Sequence, residues 1–260
     1  MLKVGLFVTC LVDLFRPSVG FATIKLLQES GCIVDVPIQQ TCCGQPAYNS
    51  GDRSSAISAA KNTIITYENY DYVVVPSGSC ASMLIKHYPQ LLQNDKVYKE
   101  KADTLATKTF ELTSFLYDVI GLRKIPRSFP HHVTYHDACS GLRELGIKKQ
   151  PRELLNSLQH IKLVEHDASN VCCGFGGTFC VKYPEISEDM VKNKTESIVR
   201  SGADMILSGD MGCLLNIAGK IAREKNDIEV RHIAEVMAGT TDVSGIGDTK
   251  EPIKSKVSKK

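Results

Sequence analysis

Cysteine enters this chain twice with one rhythm. Cys10, the adjacent pair Cys42–Cys43 and Cys80 form a first set, and Cys139, the adjacent pair Cys172–Cys173 and Cys213 form a second. The step from single cysteine to pair is 32 residues in the first set and 33 in the second. From the second member of the pair to the last cysteine it is 37 and 40 residues. A glycine follows each pair, as Gly44 and Gly174. Eight of the ten cysteines thus fall into two matched quartets. Four thiolates are the ligand set of a structural zinc ion or of an iron–sulfur cluster. A lone cysteine is by default a small buried residue, but packing alone does not explain two quartets in register.

A repeat of this length needs room, and 260 residues provide for one large domain or two ordinary ones. The formal net charge is only +2, so the chain has no basic surplus for nucleic acid. No apolar stretch approaches the ~18 residues of a membrane span. The opening MLKVGLFVTCLVD resembles a signal peptide in its apolar run, but Asp13 closes the run and no small-residue cleavage site follows. It reads instead as a buried first strand. These features point to a cytoplasmic chain, where thiols stay reduced and ten cysteines mean metal or redox work rather than disulfide staples.

The cysteine rhythm rides on a repeated pattern of elements. Strands are expected at 3–9, 32–37 and 72–77, with helices at about 17–30, 52–69 and from Cys80 to 92. The second half replays this with strands at 132–137, 161–166 and 205–210, and helices at 151–158, 185–201 and from Cys213 to 225. Each half closes on a short strand running into a helix, at 110–121 and 230–239. The lysine-rich stretch 93–108 has no counterpart. The expected fold is therefore α/β, with two pseudo-repeated halves, each a mostly parallel sheet flanked by helices. The halves are placed at 1–125 and 126–240, followed by a disordered basic tail at 241–260. Every quartet cysteine falls just after an expected strand, and ligands of open α/β sheets bind at strand carboxyl ends.

The motifs TCCGQPAYNSG (41–51), VPSGSCASM (75–83), YHDACSGLRELGI (135–147) and CCGFGGTFCVKYPEIS (172–187) carry a resemblance. With them the chain resembles the cysteine-rich, CCG-domain iron–sulfur proteins over nearly all of residues 1–240. That family includes the cysteine-rich polypeptide of heterodisulfide reductase and the glycolate oxidase iron–sulfur subunit, and the nearest likeness is to its lactate-utilisation protein A branch. The resemblance implies that the two quartets bind iron–sulfur clusters, one or two per chain. It also implies L-lactate oxidation to pyruvate in a complex with a ferredoxin-like iron–sulfur subunit and a third small subunit. The reductase pattern ends each motif in C-x-x-C, whereas this chain has Ser77 and Asp210 at the first of those positions. Four thiolates per half suit a [4Fe–4S] cubane and speak against disulfide-cleaving chemistry.

Zinc, in one half or both, remains the alternative centre, although no C-x-x-C knuckle occurs. A zinc-stabilised assembly subunit and a thiol–disulfide enzyme using the vicinal pairs are the rival functions. Three further residues are second-tier ligand candidates. His136 could hydrogen-bond or bind a centre from just ahead of Cys139, with Asp137 beside it. Cys180 could be a spare ligand but breaks the repeat. Asp210 offers an oxygen ligand or a cap for the helix that follows. Cys32 has no partner in the second half and is assigned to the core. No catalytic residue is identified.

Overall fold

The computed structural model describes residues 1–248. Eight strands are arranged as two four-stranded sheets. The first contains β1 (Lys3–Leu6), β2 (Ile33–Asp35), β3 (Tyr72–Val75) and β4 (Thr109–Glu111) in the order β2-β1-β3-β4. The second contains β5 (His132–Tyr135), β6 (Lys162–Leu163), β7 (Met205–Ser208) and β8 (Glu229–His232) in the order β6-β5-β7-β8. Every pairing is parallel. The central strands are apolar because helices cover both faces: Val73, Val74 and Val75 of β3 are fully buried, as are Ile206 and Leu207 of β7.

The strand order places the functional rim. After β1 the chain crosses to β2 on one side and then returns to β3 on the other, which opens a crevice between the carboxyl ends of β1 and β3. The second sheet repeats the manoeuvre at β5 and β7. The correspondence extends to single hydrogen bonds. Just past β1, the Phe7 amide donates to the Val74 carbonyl at 2.9 Å, and just past β5, the His136 amide donates to the Leu207 carbonyl at 2.8 Å.

Several expectations are corrected. The first strand ends at Leu6, and Cys10–Phe15 is a helix, capped by the Thr9 side chain. Cys139–Leu145 is its counterpart in the second half. The lysine-rich stretch contains a helix, Tyr98–Lys108, that buries Ala102 and Leu105 and packs against the first half. Part of the expected tail is ordered. Ile246 is buried and its amide donates to the Val230 carbonyl at 2.8 Å, and Arg231 donates to the carbonyls of Thr241 and Val243. The rest of that expected tail, 249–260, lies outside the described residues. Among the described residues no helix is long and apolar enough to cross a membrane.

The two sheets meet rim to rim. Glu235 is fully buried at the start of the helix Ile233–Ala238, where it accepts from Arg16 Nε at 2.8 Å and Ser18 Oγ at 2.6 Å in the other half. His232 caps that same helix. Its Nδ1 accepts from the Ala234 amide, so Nε2 carries the proton and donates to the Pro76 carbonyl at 3.2 Å across the interface. Arg127 and Glu29 form a second bridge nearer solvent, at 2.5 Å.

Burial decides which bridge matters. Truncating Glu235 to Ala strands a nearly buried guanidinium and costs ~3–5 kcal/mol, whereas Arg127→Ala, at a pair that retains solvent, costs at most ~1 kcal/mol. Chemical denaturation of the two variants against the parent measures the difference.

Candidate metal centre

Each cysteine reaches its rim by a local device that the two halves share. Cys10 and Cys139 are the first residues of the helices that leave β1 and β5. Cys80 is the third residue of the helix Gly78–Ser82, capped by Ser77, and Cys213 is the third residue of the helix Met211–Glu224, capped by Asp210. Four of the eight thiols therefore sit in a helical first turn, where the unpaired amides and helix dipole favour negative charge. The pairs Cys42–Cys43 and Cys172–Cys173 lie in the coil after β2 and β6. The glycines behind them, Gly44 and Gly174, are left-handed with φ of 80° and 85°. A side chain at Gly174 would also stand 2.8 Å from the Ser187 carbonyl oxygen. Glycine is thus what lets the paired loop close over the helix beneath it.

The first quartet converges. Cys10 Sγ lies 3.6 Å from Cys42 Sγ, and Cys43 Sγ lies 3.4 Å from Cys80 Sγ. A cavity of about 120 Å³ opens beside all four, and Phe175, Gly177 and Met211 of the second half help to line it. In the second quartet Cys139 stands close enough to Cys172, and Cys173 to Cys213, to shift each other's ionisation, and the Cys173 and Cys213 sulfurs lie within 4.8 Å. The Gly174 amide donates to Cys172 Sγ at 3.4 Å. The outer thiols Cys10, Cys42, Cys139 and Cys172 are half-buried, and the inner ones, Cys43, Cys80, Cys173 and Cys213, are buried.

Electrostatics divides each quartet the same way. Hydrogen bonds from Cys10 and Cys43 hold the Cys42 thiol at about 2, and those from Cys139 and Cys173 hold Cys172 at about 2. Their partners move the other way. Cys10 and Cys139 are raised by donating to that thiolate and then by burial. Cys43 and Cys173 are raised by the same contacts, with burial added. Cys213 accepts from Cys173, which lowers it, but complete burial and the nearby Asp210 leave it raised. The thiols that flank Cys42 and Cys172 are held protonated, and their ionisation needs a cation at the centre. Soft sulfur donors in such a cluster suit zinc or iron–sulfur chemistry.

The remaining candidates are placed as follows. Ser77 and Asp210 face each other across the two halves, with Ser77 Oγ donating to Asp210 Oδ2 at 3.0 Å. Asp210 also accepts from the Ser79 amide at 2.9 Å and caps its own helix through the Gly212 amide at 3.1 Å. Its carboxylate is committed to capping and to the interface. Cys180 lies in the short helix Phe179–Lys182, and its thiol donates to the Gly177 carbonyl at 3.1 Å. Cys32 is buried in the core. Asp137 is clamped by Arg152 at 2.8 and 2.9 Å. His136 is fully buried, and its ring forms one cluster with Cys173 and Cys213 in which the donor atoms all lie within 4.8 Å of one another. Burial and the nearby Lys194 push its imidazole down to about 3.

Two groups near the rims carry no signal in the sequence. Lys194 is buried beside Cys173, Cys213 and Cys172, pushed down by burial to about 8, and donates to the Ala168 carbonyl. Glu111 is completely buried where β4 ends, pushed up by burial to about 7, and caps the helix that follows through Thr113 and Ser114. Lys194 sits in a polar run, KNKTES, with nothing to distinguish it from a solvated face. The groups that close over Glu111, Tyr135 and Gly209 among them, come from the other half of the chain.

Comparison with known proteins agrees with this architecture. The model of the CCG family, described as a cysteine-rich domain, matches residues 4–85 and 133–218. The chain belongs to the CCG cysteine-rich domain family. Each CCG match contains one whole quartet, Cys10 to Cys80 in the first and Cys139 to Cys213 in the second. Lactate utilization protein A of Geobacillus sp. (strain WCH70) is 48% identical over 91% of this chain and 99% of its own length. The protein of the same name from Bacillus subtilis (strain 168) is 46% identical over the same shares. Among solved structures, a hypothetical protein from Helicobacter pylori superposes with a TM-score of 0.63 at 11% identity. The match covers 95% of this chain and 49% of that one, so the shared fold occupies about half of the longer protein.

Thiol reactivity reads out this arrangement. In metal-free protein at pH 6, Cys42 and Cys172 are thiolates while Cys10 and Cys139, equally half-buried, remain protonated. Brief alkylation followed by peptide mapping should modify Cys42 before Cys10 and Cys172 before Cys139, by ~10-fold or more. Preferential labelling of Cys10 or Cys139 would contradict the geometry.

Proposed function

We propose that this chain is an iron–sulfur electron-transfer subunit of a cytoplasmic, lactate-oxidising complex. The observation that carries the reading is the convergence of four thiols at each of two equivalent strand-end crevices, within contact distance in the first. Cys10, Cys42, Cys43 and Cys80 would hold one cluster, and Cys139, Cys172, Cys173 and Cys213 the other, each a [4Fe–4S] centre. Relatives bearing the name lactate utilization protein A, at 46–49% identity over 91% of the chain, support lactate as the substrate.

A bound cluster supplies one-electron transfer. The chain's part is to hold and shield it. The inner thiols anchor the centre out of water, while the outer thiols keep one edge half-exposed, where a partner can approach. Helix first turns and glycine amides offer N–H donors to the sulfur. The electrons would come from L-lactate as it becomes pyruvate, through a ferredoxin-like iron–sulfur subunit and a third small subunit. Zinc in one half is the second reading, favoured by the closeness of the buried donors in the second half.

Complementation tests the assignment. In a strain lacking this protein and any redundant lactate oxidase, the parent chain should restore growth on L-lactate. Cys43→Ser and Cys173→Ser should each leave growth at the level of the deletion, with growth on glucose unchanged. Full rescue by the double variant would sink the reading.

A further inference from the structure

The two rims differ at the buried residue three places before the first cysteine. In the first half this is Phe7, fully buried, its ring 5.7 Å from that of Tyr67. In the second half it is His136, fully buried as well. Their equivalence is structural, since both amides close the same ladder, onto Val74 and Leu207 respectively. An apolar ring has been exchanged for one carrying two polar nitrogens at a buried site.

Neither nitrogen of His136 makes a well-aligned hydrogen bond among the described residues; the backbone acceptor near it, the Ser169 carbonyl, already accepts from the Asp137 amide at 3.0 Å. An imidazole left unsatisfied in the interior costs ~1–3 kcal/mol, and buried polar groups nearly always have partners. The neighbours within reach are Cys173 and Cys213, and the three donor atoms lie within 4.8 Å of one another, all in buried residues. Two thiols and an imidazole converging on one point form a metal-ligand set of a familiar kind. His232 provides the contrast. It too is fully buried, but both of its nitrogens are engaged, by the Ala234 amide and the Pro76 carbonyl.

We propose that His136 is a nitrogen ligand of the second centre, which is thereby a mixed cysteine–histidine site, whereas the first is all-thiolate. This rests on the reading of the second quartet as a metal centre, but not on which metal it holds. His136 takes the coordination place of one of the four thiols assigned to the second centre, leaving three thiolates and one imidazole where the first centre has four thiolates. Replacing a thiolate by a neutral imidazole removes one negative charge and raises the potential of an iron–sulfur centre, as histidine ligation does in Rieske centres. The two centres of one chain would therefore differ in potential, with the second the easier to reduce.

The test is spectroscopic and uses the full chain, purified without oxygen. If the second centre contains iron, pulsed EPR of the reduced protein labelled with [15N]histidine should show one directly bonded histidine nitrogen. If it contains zinc, X-ray absorption at the zinc edge should show one nitrogen among sulfur neighbours. The signal should vanish in His136→Phe, which installs the residue of the first half, and in His136→Cys, which offers a replacement thiolate. His136→Cys should also lower the midpoint potential of one iron–sulfur centre and leave the other unchanged. A loaded second centre with no bonded histidine nitrogen in the parent protein overturns the proposal, whether or not the variants fold. So does a coupling from an exchangeable N–H proton alone, or a second quartet that takes up neither metal. If acid-labile sulfide is absent but zinc with a bonded nitrogen is present, the iron–sulfur reading fails and this one stands.

Discussion

Four thiols in close contact at the end of a parallel sheet cannot all ionise without a cation among them. In each half one thiolate is stabilised by its neighbours' S–H groups, and those neighbours are correspondingly held protonated. The rest of the architecture follows from this constraint. Two crossovers bring the ends of three strands to one crevice, helices begin there with their positive ends inward, and left-handed glycines let the paired loops close. A positive centre converts mutual repulsion into ligation. The thiols are accordingly read as a binding set and not as a by-product of core packing.

The second organising element is the joint between the halves. Ser77 and Asp210, each three places before the last cysteine of its quartet, bond to each other across the interface. Each also caps the helix that delivers the last cysteine of its own quartet. This hydroxyl–carboxylate contact is a mechanical link between the two halves. Glu235 with Arg16, and His232 with the Pro76 carbonyl, extend that link along the interface. The first-quartet cavity is lined in part by Phe175 and Met211 of the other half, so the two rims form one continuous region.

Much of this was legible in the sequence because it depends on spacing. Matched cysteine intervals announced the duplication, and strand–helix alternation announced parallel sheets with cysteines at their carboxyl ends. What escaped depends on contacts between distant residues. The helices at Cys10–Phe15 and Cys139–Leu145 are too short for periodicity to register, and Thr9 caps the first at a φ of 73°. The partnership of Ser77 with Asp210, 133 residues apart, leaves no local trace. The lysine-rich stretch stands out in the sequence only as an insertion, yet Ala102 and Leu105 give its helix a buried face. His136 was visible as a candidate, but only the fold shows that neither of its nitrogens makes a well-aligned hydrogen bond and that Cys173 and Cys213 are its neighbours.

The most direct measurement is the content of iron, acid-labile sulfide and zinc per chain in protein purified without oxygen, with EPR of the reduced sample. Two [4Fe–4S] centres predict about eight irons and eight sulfides, with a reduced-cluster signal. Zinc without sulfide, unchanged by anaerobic reconstitution, would contradict the electron-transfer account and make both rims structural.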